Sequence, residues 1–592
     1  MSDPKRRCVQ TSRDPEVWMQ WFNEISSGEE SPLDEEDSDE KEEDVCVESD
    51  HHETESEQEI PEVDQDEPDW EEETDEGEAD IFYWGKDKVT KWKKGRSNTQ
   101  VRTRSQNIIK LLPGTKGSAR NARSETDCLK LFINDTVIRI ITISTNIYIM
   151  KVKSKFQRFR DARQTDEREI TAFIGILILI GTLRSSRKNL KNIWDNSKGS
   201  GVEACYLAMS EKRFRFLIRC LRFDDIRTRD ERKEIDKLAP IRELFETFLV
   251  NFQNNFIASE YLTVDEQLLA FRGRCGFKQF IPSKPAKYGI KTFALCDSKT
   301  SYTFNLETYV GTQPEGPYKL SNSSEDIVIR LVNPVAGTNR NITGDNWFTS
   351  LSLVKKLLQE KKLTYIGTMR KNKREIPPQF LPNKNRPEKS SLFGFQKDCT
   401  MVSYCPKKNR SVILLSSMHF DDAIDEETGD DKKPVIIADY NHTKIDVDLV
   451  DQLCQKYNVA RNTRRWPTVV FYNLINISGI NALCVYKANH PPQKRIARSD
   501  FLQSCAWDLI RPQIEFRSTI PSLPVDMRRR ARATLNVREV SPSPSNQPKT
   551  TVGRCHICPR QRDKSTRKIC SQCRRFACKQ HMSDTCTACL KE

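Results

Sequence analysis

Eight soft ligands crowd the last 38 residues of this 592-residue chain: Cys555, Cys558, Cys570, Cys573, Cys578, His581, Cys586 and Cys589. They fall into four pairs, each spaced by two residues. Thiolate and imidazole donors at that spacing suit tetrahedral zinc, and eight donors make two Zn2+ ions. A segment this short cannot bury a core of its own, so metal–sulfur bonds would have to stand in for one. The short intervals favour a cross-braced arrangement, first pair with third and second with fourth, with sequential sites left open. His556, inside the first pair, reads as a bystander. A disulfide scaffold is the competing reading, but the other 12 of the 19 cysteines are scattered singly, as thiols in a reducing compartment are. Nine basic residues accompany the ligands, from Arg554 to Lys579, and so dense a charge favours DNA phosphates.

Hard ligands form a second set. Asp265 sits in YLTVDEQLLAF, where strand alternation would place an apolar residue. Asp345 follows a strand in NITGDNWFTS, just before a helix, and Asp448 and Asp451 share one helix face in KIDVDLVDQLCQKY. Among 84 acids such residues have plainer readings, Asp448 as a helix N-cap and Asp345 as a turn residue. If they converge, their oxygens could hold two divalent cations and support phosphodiester chemistry. No GxxxxGK[ST] loop is present, so an NTP-driven motor is not indicated.

Two kinds of text must position these residues. Residues 127–258 carry helical spacing, including the apolar run Ala172–Leu183, which at about a dozen residues reads as a core helix and not a membrane span. The pattern then alternates. Strands are expected at Tyr261–Phe271, Tyr288–Cys296, Tyr302–Val310, Asn341–Thr343 and Leu363–Met369, with helices at Ser324–Val332 and Ser350–Glu360. That order fits a mixed α/β domain. Residues 371–432 interrupt it with Pro-rich loops, a hairpin (Thr400–Tyr404, Ser411–Ser416) and an acidic loop, and helical text returns at 447–486.

Charge divides the chain sharply. Residues 1–80 hold 5 Lys/Arg against 33 Asp/Glu, and the remainder 91 against 51. The acidic segment 29–80 has too little to bury and is expected to be disordered, either a solvated tail or an electrostatic brake on the basic body. Residues 86–125 read as a basic arm suited to phosphates. So basic a body implies a polyanionic partner, nucleic acid before a membrane surface. No secretory h-region opens the chain, and the clusters Lys5–Arg7 and Arg528–Arg532 suggest a nuclear address.

A resemblance adds to this. The blocks RFRFLIRCLRFDD (213–225), YLTVDEQLLAFRGRCGFKQFIPSKPAKYGIK (261–291), RNITGDNWFTS (340–350), GTMRKNKREIP (367–377), VDLVDQ (447–452) and RRWPTVVFYNLINISGINAL (464–483) resemble the piggyBac transposase family over about residues 127–592. The resemblance implies an α/β RNase H-like catalytic core with a small β insertion, a split helical DNA-binding and dimerisation domain, and a C-terminal cross-brace zinc-binding domain. On that plan 1–126 is a disordered N-terminal region, acidic then basic. Residues 127–258 and 455–530 form the helical domain, and 259–370 and 433–454 the catalytic domain around the insertion 371–432. A linker at 531–553 leads to the cysteine-rich domain 554–592.

The resemblance makes Asp265, Asp345 and Asp448 the ligands of Mg2+ (or Mn2+), with Asp451 a further catalytic carboxylate. Arg370 and Lys373 match basic positions that engage target DNA, and Trp466 matches a tryptophan near the active site. The implied activity is cut-and-paste transposition: excision at terminal inverted repeats through hairpin intermediates and integration at TTAA. The implied partner is double-stranded DNA, bound by a homodimer or larger assembly, with no membrane. The alternative is a domesticated relative that binds DNA or chromatin without transposing.

Overall fold

Side-chain caps cut the first helical stretch into pieces. In the computed structural model, which describes residues 48–49, 81–96, 103–197, 199, 201–491, 496–535, 552–562, 564–582 and 585–590, Ser124 and Asp127 form a reciprocal capping box that opens the short helix Glu125–Lys130. Asn134 then accepts the Val137 N–H and starts α1 (Asp135–Val152). The start of the helical stretch expected from residue 127 is therefore two helices. Asp166 caps α2 (Glu167–Thr182), which holds most of the apolar run and is buried along nearly its whole length. After shorter helices, α3 (Arg242–Asn255) leads into the sheet.

The sheet begins with β1 (Tyr261–Ala270), β2 (Tyr288–Asp297) and β3 (Thr303–Thr308), three antiparallel neighbours in chain order. Helix α4 (Ser324–Leu331) then returns the chain to β4 (Asn341–Gly344), which pairs parallel with β1, and α5 (Leu351–Gln359) returns it to β5 (Thr364–Thr368), parallel with β4. The order β3-β2-β1-β4-β5, with only β2 reversed, fits the RNase H-like expectation.

The insertion extends this same sheet. Strands β6 (Ser390–Phe395), β7 (Thr400–Cys405) and β8 (Val412–Ser416) pair antiparallel in series, and β8 pairs with β5. Beyond β6 comes a hairpin of Phe82–Trp84 with Lys91–Lys93, joined through Phe395 and Lys93. This corrects the reading of residues 86–125 as an arm and of 1–126 as wholly unpacked. Trp92 is fully buried and donates its indole N–H to the Glu375 carbonyl at 2.9 Å. Arg104 stacks on Phe420, and Gln106 and Asn107 donate to the carbonyls of Ser417 and Met418. Apolar bodies between the lysines, Trp92 above all, outweigh the charge pattern. The acidic segment 29–80 lies outside the described residues, apart from Glu48 and Ser49.

Helices α6 (Val435–Thr443) and α7 (Asp446–Lys456) follow, then α8 (Trp466–Asn489) and α9 (Arg498–Thr519). Helix α8 is long and apolar enough to cross a membrane, but 94% of its apolar window is buried inside the protein. Helix α9 packs along α2, where a Cβ at Gly175 would meet Leu509 and Ile510 at 2.9 Å. The late helices thus complete the core of the early ones. The first compact unit ends at Ser522, earlier than the expected boundary at 530, because Pro521 and Pro524 bar a continuous helix. The second unit holds helix Val525–Thr534 and the cysteine-rich segment, with a small strand pair, Gly553–Arg554 against Ser565–Thr566. Most of the expected linker 531–553 falls outside the described residues.

Candidate active site

Parallel register brings the first two aspartates together. Gly344 of β4 lies opposite Val264 of β1, so Asp345, one residue on, emerges beside Asp265. The turn after β4 is tightly held. Asp345 Oδ1 accepts the Trp347 N–H at 2.9 Å, and the Asp345 carbonyl accepts the Thr349 hydroxyl at 2.7 Å. Side chains are excluded beneath it: a Cβ at Gly344 would strike the Tyr365 hydroxyl, and one at Gly367 the Thr349 hydroxyl.

Asp265, Glu266 and Asp345 each place a carboxylate oxygen within 4.8 Å of the other two. Adjacent strand residues ordinarily face opposite sides. Here Asp265 turns its carboxylate back to accept the Glu266 N–H at 2.8 Å. Burial pushes Asp265 well above the usual carboxylate range, with the Glu266 charge adding to it. Burial likewise raises Glu266 and lifts Asp345 to about 7.

Helix α7 reaches the site because its junction with α6 is tied to the sheet. The Thr443 carbonyl accepts the Thr263 hydroxyl of β1, and the Thr443 hydroxyl lies 2.8 Å from that of Thr343 on β4. Asp448 stands outside the three-carboxylate set and is largely exposed. Lys284, mostly buried, connects them: its amine donates to Asp448 Oδ1 at 3.0 Å and to the Glu266 carbonyl at 3.1 Å. Burial alone would pull Lys284 down, but the carboxylates of Asp265, Glu266 and Asp448 hold it above the ordinary lysine range. Asp451 is half-buried, and burial raises it to about 7.

Of the expected DNA contacts, Arg370 lies at the edge of this site, its Nε 3.4 Å from the Asn346 side chain and its charge acting to lower Asp345. Lys373 closes a turn, its N–H donating to the Arg370 carbonyl, and is half-buried. Trp466 is 3% exposed and packs edge-on against Phe277 at 5.0 Å, supporting the loop that carries Phe277.

Glu266 and Lys284 were not singled out by the sequence. Glu266 follows Asp265 in a strand, where alternation sends it to the other face. Lys284 is one of several lysines in a basic loop, with nothing in its spacing to mark it.

The residues fit divalent cations. Asp345 Oδ2 is buried without a hydrogen-bond partner, and the donor set is all oxygen, as Mg2+ or Mn2+ requires. In the tail, the donors divide as a cross-brace into Cys555, Cys558, Cys578, His581 and Cys570, Cys573, Cys586, Cys589. Cys558 and Cys578 sulfurs are 3.6 Å apart, Cys573 and Cys586 3.7 Å, and His581 Nδ1 is 3.4 Å from Cys578. A tetrahedron with Zn–S bonds of about 2.3 Å has edges of about 3.8 Å, so the spacing suits zinc. His556 belongs to neither set, although its Nε2 is 3.8 Å from Cys586.

A family described as Transposase IS4 matches residues 124–483. The human PiggyBac transposable element-derived protein 3 is 24% identical over 371 residues, 60% of this chain and 60% of that protein. The human PiggyBac transposable element-derived protein 5 is 22% identical over 405 residues, 65% of this chain and 75% of that one. The matched stretch thus covers less than two thirds of the first relative's length. Among solved structures, a cryo-EM structure of piggyBac transposase in a synaptic complex with hairpin DNA is similar at a TM-score of 0.68 and 36% identity, covering 81% of this chain and all of that one.

Proposed function

The chain belongs to the piggyBac-type transposase family, and from that membership we propose that it is a cut-and-paste DNA transposase. It would excise its element at terminal inverted repeats through hairpin intermediates and integrate it at TTAA. The observation that carries this reading is the meeting of Asp265, in the middle of β1, with Asp345, just past the end of the parallel strand β4, with Asp448 and Asp451 brought up on α7.

Asp265, Asp345 and Asp448 would hold Mg2+ or Mn2+. When bound, the cations polarise the attacking oxygen and stabilise the leaving one. The protein's own part is positioning. The tight turn at Trp347–Thr349 fixes Asp345, the Thr443 tie fixes α7, and Lys284 steadies Asp448. Arg370 supplies positive charge at the rim where a phosphate would lie, and Lys373 extends it. Asp451, near neutrality, is suited to accept a proton from a hydroxyl or water nearby. The two cysteine-rich sets would bind Zn2+ and shape a basic module for the terminal repeats. We further propose action in the nucleus as a dimer or larger assembly on paired ends.

The test is excision of a plasmid-borne element carrying this protein's own terminal repeats between TTAA sites, wild type beside Asp448→Asn. Excision by the wild type alone, restoring a single TTAA, is the expected result. Excision that persists in the Asp448→Asn protein would remove Asp448 from the site. A wild type that binds the ends without excising would mark a DNA-binding descendant.

A further inference from the structure

The three-carboxylate set contains one more acid than the expected aspartates. Glu266 is 2% exposed, and its Oε2 has no hydrogen-bond partner. The same is true of Asp345 Oδ2. A buried carboxylate oxygen that gives up water without gaining a partner is destabilising, and native proteins rarely retain one without a use. Here two such oxygens belong to residues whose carboxylates converge within 4.8 Å, with Asp265 as the third member.

The Lys284 charge acts to lower Glu266 but does not outweigh its burial. The Lys284 amine is directed to the Glu266 backbone carbonyl and to Asp448, and the carboxylate tip of Glu266 is left to the cluster. The turned-back Asp265 carboxylate, held by the Glu266 N–H, brings the two neighbouring acids to one point despite the strand's alternation.

We propose that Glu266 is a direct ligand of the divalent cation held between Asp265 and Asp345. The inference rests on the carboxylate site proposed above and adds a donor to it. Three carboxylates on one hard cation bind it more tightly than two, and they give the site affinity for Mn2+ before DNA arrives.

The test uses the zinc-loaded full-length protein without DNA, titrated with Mn2+ and followed by the electron paramagnetic resonance of free Mn2+ and by thermal melting. Glu266→Gln keeps the shape and removes a buried charge, so its melting temperature without Mn2+ should be no lower than wild type. Its Mn2+ affinity should fall by about tenfold or more, and the rise in melting temperature with Mn2+ should shrink to match. Glu266→Asp, which keeps the charge but retracts it by one methylene, should fall between and carries the test should the glutamine variant not fold. Asp345→Asn is the reference. If it loses Mn2+ while Glu266→Gln and Glu266→Asp stay within about twofold of wild type, Glu266 is a buried acid sharing a proton with Asp265 and the inference fails. If Asp345→Asn also keeps its affinity, the site reading itself has failed.

Discussion

Asp345 answers to two demands that conflict when no cation is present. Its turn fixes it rigidly beside Asp265, and burial lifts it to about 7. The folded state therefore keeps the proton until near pH 7, whereas the unfolded chain releases it near pH 4. Unfolding gains from that release as pH rises between the two values, so without Mg2+ or Mn2+ the first unit should lose stability from about pH 4 to pH 7. Asp345→Asn removes the share of this dependence that Asp345 carries, while Asp265, Glu266 and Asp451, raised likewise, keep theirs. The variant should melt about 2–4 °C higher than wild type at pH 7.5 without added Mg2+ or Mn2+ and show no gain at pH 4. Equal melting temperatures at pH 7.5 would mean that the carboxyl is not held against its charge. Such a variant would also lack DNA nicking, so stability and chemistry move in opposite directions at one residue.

Elements carry the next level of argument. Glu169 of α2 accepts from Arg213 at 2.7 Å, Arg163 at 2.5 Å and the Thr165 hydroxyl at 2.8 Å, tying three segments together. Burial would raise it, but Arg213 and Arg163 hold it below the usual glutamate range. Its contribution is complete above the ordinary glutamate value, near pH 4.3, and fades as pH falls through the lower folded value. Glu169→Gln should cost about 3–5 kcal/mol in urea unfolding at pH 7. The gap to wild type should narrow below about pH 4, and a gap unchanged there would refute the ion-pair account.

Strand positions were largely legible at this level, because apolar alternation and the flanking turns stand out in segments such as Tyr288–Asp297. Asp265 and Asp345 could be singled out for their places on a strand and at a strand end. What could not be read depends on contacts distant in sequence. Trp92 looked like part of a charged arm because its cover, the loop near Glu375, lies 283 residues away. Glu266 could not be read because the turn of Asp265 onto its neighbour's N–H is a local departure from the strand pattern.

For the whole molecule, two compact units meeting at Ser522 and Leu523 imply separable stabilities. A strong chelator should unfold the cysteine-rich segment, whose buried cluster among the described residues consists of its ligands and a few neighbours such as Ala577. The main unit's melting should persist, and binding to terminal-repeat DNA should weaken. A tail signal in circular dichroism that survives the chelator would argue against zinc. The hairpin of Phe82–Trp84 and Lys91–Lys93 at the end of the sheet carries a different consequence, for where this chain tolerates being cut. Removing residues 1–80 takes away a net charge of −28 and should leave a soluble protein that binds DNA more tightly at low salt. Removing residues 1–96 strips Trp92 from its pocket and bares the backbone of β6 along an open sheet edge. Unpaired edges of that kind join to one another, so sixteen more residues should turn a better DNA binder into an aggregate.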